Sequence, residues 1–390
     1  MQRTLKIIII SLTGILCLRF FFVPLNLHIA RRTPFNIRIR LAHNAGKVEL
    51  SSDAACTVKE YGTGRVLSKN FIINDKNQIV SGKEGIRIDE KEFKGKGINI
   101  SPHKKDSLSF HGKRYRGQID ILNTAEGLDV INVVELEDYL KGVIPREMNR
   151  FWPFAAMKAQ TIASRSFAVS KALKRKEKEY DLRADTFAQV YGGISSERWR
   201  TTKAIMATKD KVLIYDDKII PAYFHSCCGG YTRNISDAWG GQHKALKKVK
   251  CLWCRWSPHF RWRIKIPAKD IIDKFARKGY SIKRIDNIVE GDRDSSKRLK
   301  YLRIKSGDRW FEINVNEFRS AIGNRIIKSS NFYVKKYPRF YMFSGYGWGH
   351  GVGMCQWGAL GLAVRRSNEE KILGIYYPGA KIVDLRQIIK

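Results

Sequence analysis

The sequence predicts a mixed α+β fold, and three stretches carry that prediction. From Asn36 to about Glu126, short runs such as "IRIRLA", "KVELSS" and "FIIND" alternate polar and apolar residues between Gly, Asn and Asp. That period of two marks strands with one covered face. The mostly apolar run Leu128–Val134 reads as a buried strand, and Glu137 and Asp138 after it suit the first turn of a helix. Beyond Pro153, Ala156, Ala159, Ala163 and Phe167 recur at spacings of three and four. One face of a second helix is thus made of small side chains that permit a close contact, with proline at its first turn.

The remaining elements follow in order. "KVLIYDDKIIPAYFHSCCGG" reads as two strands joined by the turn "DDK", which places a cysteine cluster at a strand end. Residues 263–340 mix a helix-like stretch, Lys269–Gly279, with the strands "RLKYLRIKS" and "RWFEINV" and many basic residues, so they read as an embedded α/β subdomain. The chain closes on "GYGWGHGVGMCQWGALGLAV" and "ILGIYYPGAKI", with no internal repeat. The organisation expected is a leader at 1–32, a β-rich N-terminal module at 36–126, and a domain at 127–390 interrupted at about 263–340.

With 390 residues, 43% of them apolar, the chain supports two or three compact domains and is not of the disordered class. Lys plus Arg number 73 against 37 acids, a net charge of +36, which calls for an anionic partner. Nucleic acid and an anionic membrane or envelope surface satisfy that demand equally. The N-terminus decides between them. Arg3 and Lys6 precede an apolar run from Ile7 to Leu18, the pattern of a signal peptide or membrane anchor. Arg19 interrupts the run, no small-x-small cleavage site stands out, and Cys17 follows a leucine too bulky for a lipobox. The rest of the chain is therefore expected outside the cytoplasmic membrane, in the cell envelope. No nucleic-acid partner is expected, since no recognisable module or interleaved aromatic groove accompanies the charge.

Two motifs carry chemistry. His225 with Cys228, and Cys251 with Cys254, supply four soft or borderline donors at spacings that suit a tetrahedral zinc site. Such a closed set would staple loops and leave no position for water. Disulfides among Cys227, Cys228, Cys251 and Cys254 are the alternative in an exported protein. In the second motif, glycines at 345, 347, 349, 351 and 353 let backbone approach a ligand, without the pattern of a phosphate loop. His350 within it suits substrate binding, proton transfer or a buried hydrogen bond. Glu147, alone among positive charges, reads by itself as an acid just ahead of a helix, stabilised by its dipole by ~0.3–1 kcal/mol.

Taken together, "ELEDYLKGVIPREMNRFWPFAAMKAQTIASRSFAV", "DTFAQVYGG", "YFHSCCGGYTRNISDAWGG", "GWGHGVGMCQWGALGLA" and "ILGIYYPGA" resemble the SpoIID/LytB family of cell-wall proteins, in order and spacing, over roughly Lys113 to Ile382. The resemblance implies a SpoIID-like catalytic core acting on peptidoglycan glycan strands. It implies either a lytic transglycosylase that cuts peptide-stripped strands to 1,6-anhydro-muramyl ends, or a noncatalytic enhancer of an N-acetylmuramoyl-L-alanine amidase. Glu147 falls on the family's catalytic glutamate, in the "P-x-E-M" block. A glycoside hydrolase needs two carboxylates. When the muramyl 6-hydroxyl closes on its own anomeric carbon, one acid can protonate the leaving oxygen and then take the hydroxyl proton. For that, Glu147 must start protonated, through burial against Met148, Phe151 or Trp152, with Arg146 turned away. The resemblance also supports structural Zn2+ on His225, Cys228, Cys251 and Cys254. It suggests substrate contacts from Gln160, Arg165, Tyr191, His350 and Gln356, and a cell-wall amidase as a second partner. Cys355 departs from the family's usual small polar residue.

Overall fold

The computed structural model describes residues 35–103, 106–184 and 189–389. The proposed leader at 1–32 lies outside them. Helices and strands both contribute, in a mixed α+β arrangement. No helix among the described residues is long and apolar enough to cross a membrane.

Alternation along Asn36–Ala45 buries Ile37 and Ile39 and turns their neighbours outward. This strand pairs antiparallel with Gly127–Glu135, Ile37 opposite Val134 and Ile39 opposite Asn132. The two belong to a seven-stranded sheet whose order is Leu182–Arg183, Asn36–Ala45, Gly127–Glu135, Gln118–Thr124, Gly97–Pro102, Cys56–Glu60 and Val66–Phe71. The sheet therefore takes strands from both sides of residue 126. Leu128–Ile131 are buried without alternation, as the sequence predicts for a strand covered on both faces.

The helix Leu136–Glu147 begins where that strand ends. Leu136, Tyr139, Leu140, Val143 and Ile144 recur at spacings of three, one and four and pack onto the sheet. Leu140 is fully buried, so Leu140→Ala would cost about 2–5 kcal/mol. Pro145 stops the helix: it has no N–H to give to the preceding turn, and Met148 is already extended. Glu147 is thus the last helical residue, not an acid placed at a helix start.

The second helix, Phe154–Lys174, differs from the expectation of one small-residue face. It is buried on nearly every side, from Ala156 to Ala172. The reason is tertiary: it packs against Leu136–Glu147, Trp199–Ala207, Lys211–Tyr215, Gln356–Val364 and Glu369–Tyr376. Its polar side chains turn inward to its own backbone, with Thr161 donating to the Met157 carbonyl and Ser166 to that of Ile162. The strands Lys211–Tyr215 and Lys218–Ile219 meet at Asp216 and Asp217, both at positive φ, as a tight two-residue hairpin turn needs.

Strands Arg261–Pro267 and Phe340–Tyr346 pair antiparallel from Arg261 opposite Tyr346 to Pro267 opposite Phe340. The segment between them packs its own apolar core, including Phe275, Leu302, Ile313, Phe318 and Phe332, against Phe343 of the second strand. The helix there is Ala268–Ala276, shorter than the sequence suggests, because Gly279 at φ 84° closes it off.

Candidate functional site

Glu147 opens onto a cavity of about 350 Å³ lined by Phe167, Val190, Tyr223, Phe224, His225, Trp239, Trp348, His350 and Gln356, among others. It is the one carboxylate among the described lining residues. Two larger clefts, of about 600 and 450 Å³, run along the paired strands Arg261–Pro267 and Phe340–Tyr346; their lining includes Arg255, Arg261, Arg263 and Tyr346 but no acid among the described residues. The smaller cavity is the one equipped for proton transfer.

Burial holds the Glu147 carboxyl above its ordinary range, and the hydrogen bond it accepts from the Val190 amide at 3.1 Å offsets this only in part. Its position at the carbonyl end of a helix works in the same direction, because the dipole there opposes negative charge. Arg146 is exposed, lies along Gly192, and forms no ion pair with Glu147. The apolar cover differs from the expected one. Phe151 is 71% exposed, and Met148 packs with Trp152, Met157 and Ala204 in a separate small cluster. Phe167, Val190 and Tyr223 provide the cover instead.

Of the five residues expected to contact substrate, His350 and Gln356 line the cavity. His350 donates from Nε2 to the Phe224 carbonyl at 2.9 Å and accepts the Val352 amide on Nδ1 at 3.1 Å. Burial pushes it down to about 3, so it stays neutral. Gln356 donates to the Glu147 carbonyl at 3.0 Å and to Gln160 at 3.3 Å, tying the acid's backbone to the glycine-rich loop. Gln160 itself is fully buried and serves that chain of bonds. Arg165 is corrected more sharply. It is fully buried and grips both oxygens of Glu137 at 2.9 and 2.8 Å, so it has no open side for a ligand. Tyr191 is buried between Tyr115 and Tyr139 and donates to Asn132 at 3.0 Å. The sequence reading did not single out Tyr223, Trp239 and Trp348. Trp239 is half exposed, 4.7 Å from the Tyr223 ring and 5.0 Å from that of His350, and adds an aromatic ring to the cavity lining.

The sulfurs of Cys228, Cys251, Cys254 and Cys355 lie within 4.8 Å of one another, all buried. Cys355 thus stands where His225 was expected. The parallel pairing of Phe224–His225 with Met354–Cys355 brings it there. The His225 ring turns its Nδ1 to the Val352 carbonyl at 3.1 Å, and its buried Nε2 has no partner among the described residues. The donor set fits a metal. Tetrahedral Zn–S bonds of ~2.3 Å separate sulfurs by about 3.8 Å, and Cys228 and Cys254 stand 3.5 Å apart. Both are free thiols here, as are the other described cysteines. Burial raises the Cys228 and Cys355 thiols well above their ordinary range, so a bound cation would have to draw off their protons.

Residues 124–215 match the family described as Stage II sporulation protein, and residues 246–353 match a domain of unknown function, DUF8618. Over 320 residues the chain is 31% identical to an uncharacterised protein of Brachyspira hyodysenteriae, covering 82% of this chain and 85% of that one. It is 29% identical to the amidase enhancer of Bacillus subtilis, covering 78% of this chain and only about half (49%) of that longer protein. It is 28% identical to the stage II sporulation protein D of the same organism, covering 64% and 74%. With the acid-bearing helix, the strand and the long helix inside the first match, the chain belongs to the stage II sporulation protein D (SpoIID) family.

Proposed function

We propose that the protein is a peptidoglycan lytic transglycosylase of the cell envelope, cutting peptide-stripped glycan strands to 1,6-anhydro-muramyl ends with Glu147 as its single acid/base. The observation that carries this reading is one carboxylate, held toward its protonated form, in an aromatic cavity that contains no second acid among the described residues. An inverting hydrolase needs a partner acid ~6.5–9.5 Å away and a retaining one a nucleophile at ~5–5.5 Å. Intramolecular closure needs neither.

In the forward step, protonated Glu147 gives its proton to the glycosidic oxygen as the bond to the muramyl anomeric carbon breaks. The resulting carboxylate takes the proton of the 6-hydroxyl as that oxygen bonds to the same carbon. No water is consumed, and Glu147 returns to its starting state. Trp239, Trp348 and Tyr223 would stack on sugar faces, and neutral His350 would hold the loop in place. In this reading 127–390 is the SpoIID-like catalytic portion with an insert at about 263–340, and 36–126 is a β-rich module. The surplus positive charge suits an anionic envelope surface. A zinc ion at the cysteine cluster would be structural, because four protein ligands leave no position for water.

A second reading, a glycan-binding enhancer of an amidase, is favoured by the similarity to a protein of that name. The two separate on purified peptide-free glycan in water labelled with heavy oxygen. Lytic transglycosylation gives anhydro ends without label, and hydrolysis gives labelled reducing ends. An enhancer gives neither and instead speeds amide cleavage by an added amidase.

A further inference from the structure

The cysteine cluster has an unusual electrostatic neighbour. Arg298, carried by the inserted segment, is fully buried and donates from Nη2 to the Cys228 carbonyl at 3.0 Å, while its Nε and Nη1 have no partner among the described residues. Gly351 makes room for it: a Cβ there would stand 2.7 Å from Nε and Nη2. Two more buried guanidinium groups lie close enough to repel it. Arg233 is paired with Asp294 at 2.5 Å, and Arg319 donates to the carbonyls of Ile327 and Lys328, with no acid partner among the described residues. Three cations against one carboxylate leave two positive charges in the interior, and buried charge of that kind calls for an opposing one. Four thiolates around a divalent cation carry two surplus negative charges.

The geometry at Cys355 points the same way. Its sulfur accepts the amides of Cys228 and Gly358, each at 3.3 Å, at the start of the Gln356–Val364 helix. Two amide donors and a helix N-terminus suit a sulfur whose proton a bound cation has displaced.

We infer that Cys228, Cys251, Cys254 and Cys355 form a tetrathiolate site for a divalent cation of the zinc class, with Arg298 as its buried counter-charge and His225 outside it. This rests on the structural-metal part of the reading above and on nothing in its catalytic part. Cys355 is the residue before Gln356, so the site fixes the loop that holds the Glu147 backbone. The centre would join the strand at Phe224–His225, the Cys251–Cys254 knuckle and that helix, with the insert's arginine beside them.

The test uses the full protein purified without added metal, and no readout involves glycan. Elemental analysis should give one zinc per chain, and cobalt exchange should give the intense thiolate charge-transfer bands of four sulfurs. This spectrum needs no variant. Cys355→Ser should lose the metal, while His225→Gln keeps it. Arg298→Met should weaken zinc binding by about 10- to 100-fold in chelator competition, and Arg298→Lys by much less. In a Cys355→His background, where the site carries one negative charge fewer, Arg298→Met should cost less. A three-sulfur, one-nitrogen cobalt spectrum with loss of metal in His225→Gln overturns the ligand set alone. Equal losses in the two backgrounds overturn the charge balance. No metal, with a mass two hydrogens short for each disulfide, overturns the site and the zinc part of the functional reading together. Four-sulfur metal binding by a protein that cuts no glycan sinks only the catalytic reading.

Discussion

Two glutamates on one helix show what separates a structural acid from a working one. Glu137 stands in the first turn of Leu136–Glu147, at the dipole's positive end, and both its oxygens are taken by the buried Arg165. Glu147 closes the last turn, at the negative end, with one amide for a partner and no cation among the described residues. Ten residues apart on the same scaffold, one carboxylate is gripped in an ion pair and the other is held toward its neutral form over a cavity. An acid that must deliver a proton belongs at the second position.

Breaking the first site should have the largest effect. Arg165→Met leaves Glu137 buried and unpaired, and should cost about 3–5 kcal/mol in denaturant unfolding, with glycan cleavage per folded molecule unchanged. Lost cleavage at full folding would mean that Arg165 serves the cavity after all. Next comes the bond from Gln356 to the Glu147 carbonyl. Gln356→Ala should lower the turnover rate by about tenfold through misplacement of the acid, with a smaller change in substrate affinity. A change confined to affinity would make Gln356 a substrate contact instead.

The smallest effect sharpens the comparison through pH. The native Glu147 carboxyl lies above its unfolded value of ~4.3. The native state therefore holds a proton that the unfolded state has lost, and stability falls as pH rises from the unfolded value through the native one. Glu147→Gln has no such proton. Its stability relative to wild type should rise across that window and then level off. Urea melts from pH 4 upward that show a constant gap would remove the argument for a raised value.

Much of this was legible in the sequence where the physics is local. The alternation in Asn36–Ala45, the covered strand ahead of Leu136 and the Asp216–Asp217 turn all follow from neighbours in the chain. Glu147 was legible as a candidate through the surrounding block. Its place at a helix end was not, because the helix runs two residues past Pro145. Arg165 sat among other polar residues of a helix, and only its distant partner Glu137 reveals its role. Cys355 stands alone in sequence and joins the other sulfurs through a parallel strand pair that no spacing announces. The aromatic wall comes from Tyr223, Trp239 and Trp348, three segments that only the fold brings together.

The most direct test of the central claim is the product pattern of wild type and Glu147→Gln side by side on peptide-free glycan, with folding of both checked by melting. The account predicts anhydro-muramyl ends from wild type and a rate about 10²–10⁴-fold lower from the variant. Anhydro ends released at an undiminished rate by Glu147→Gln would contradict it.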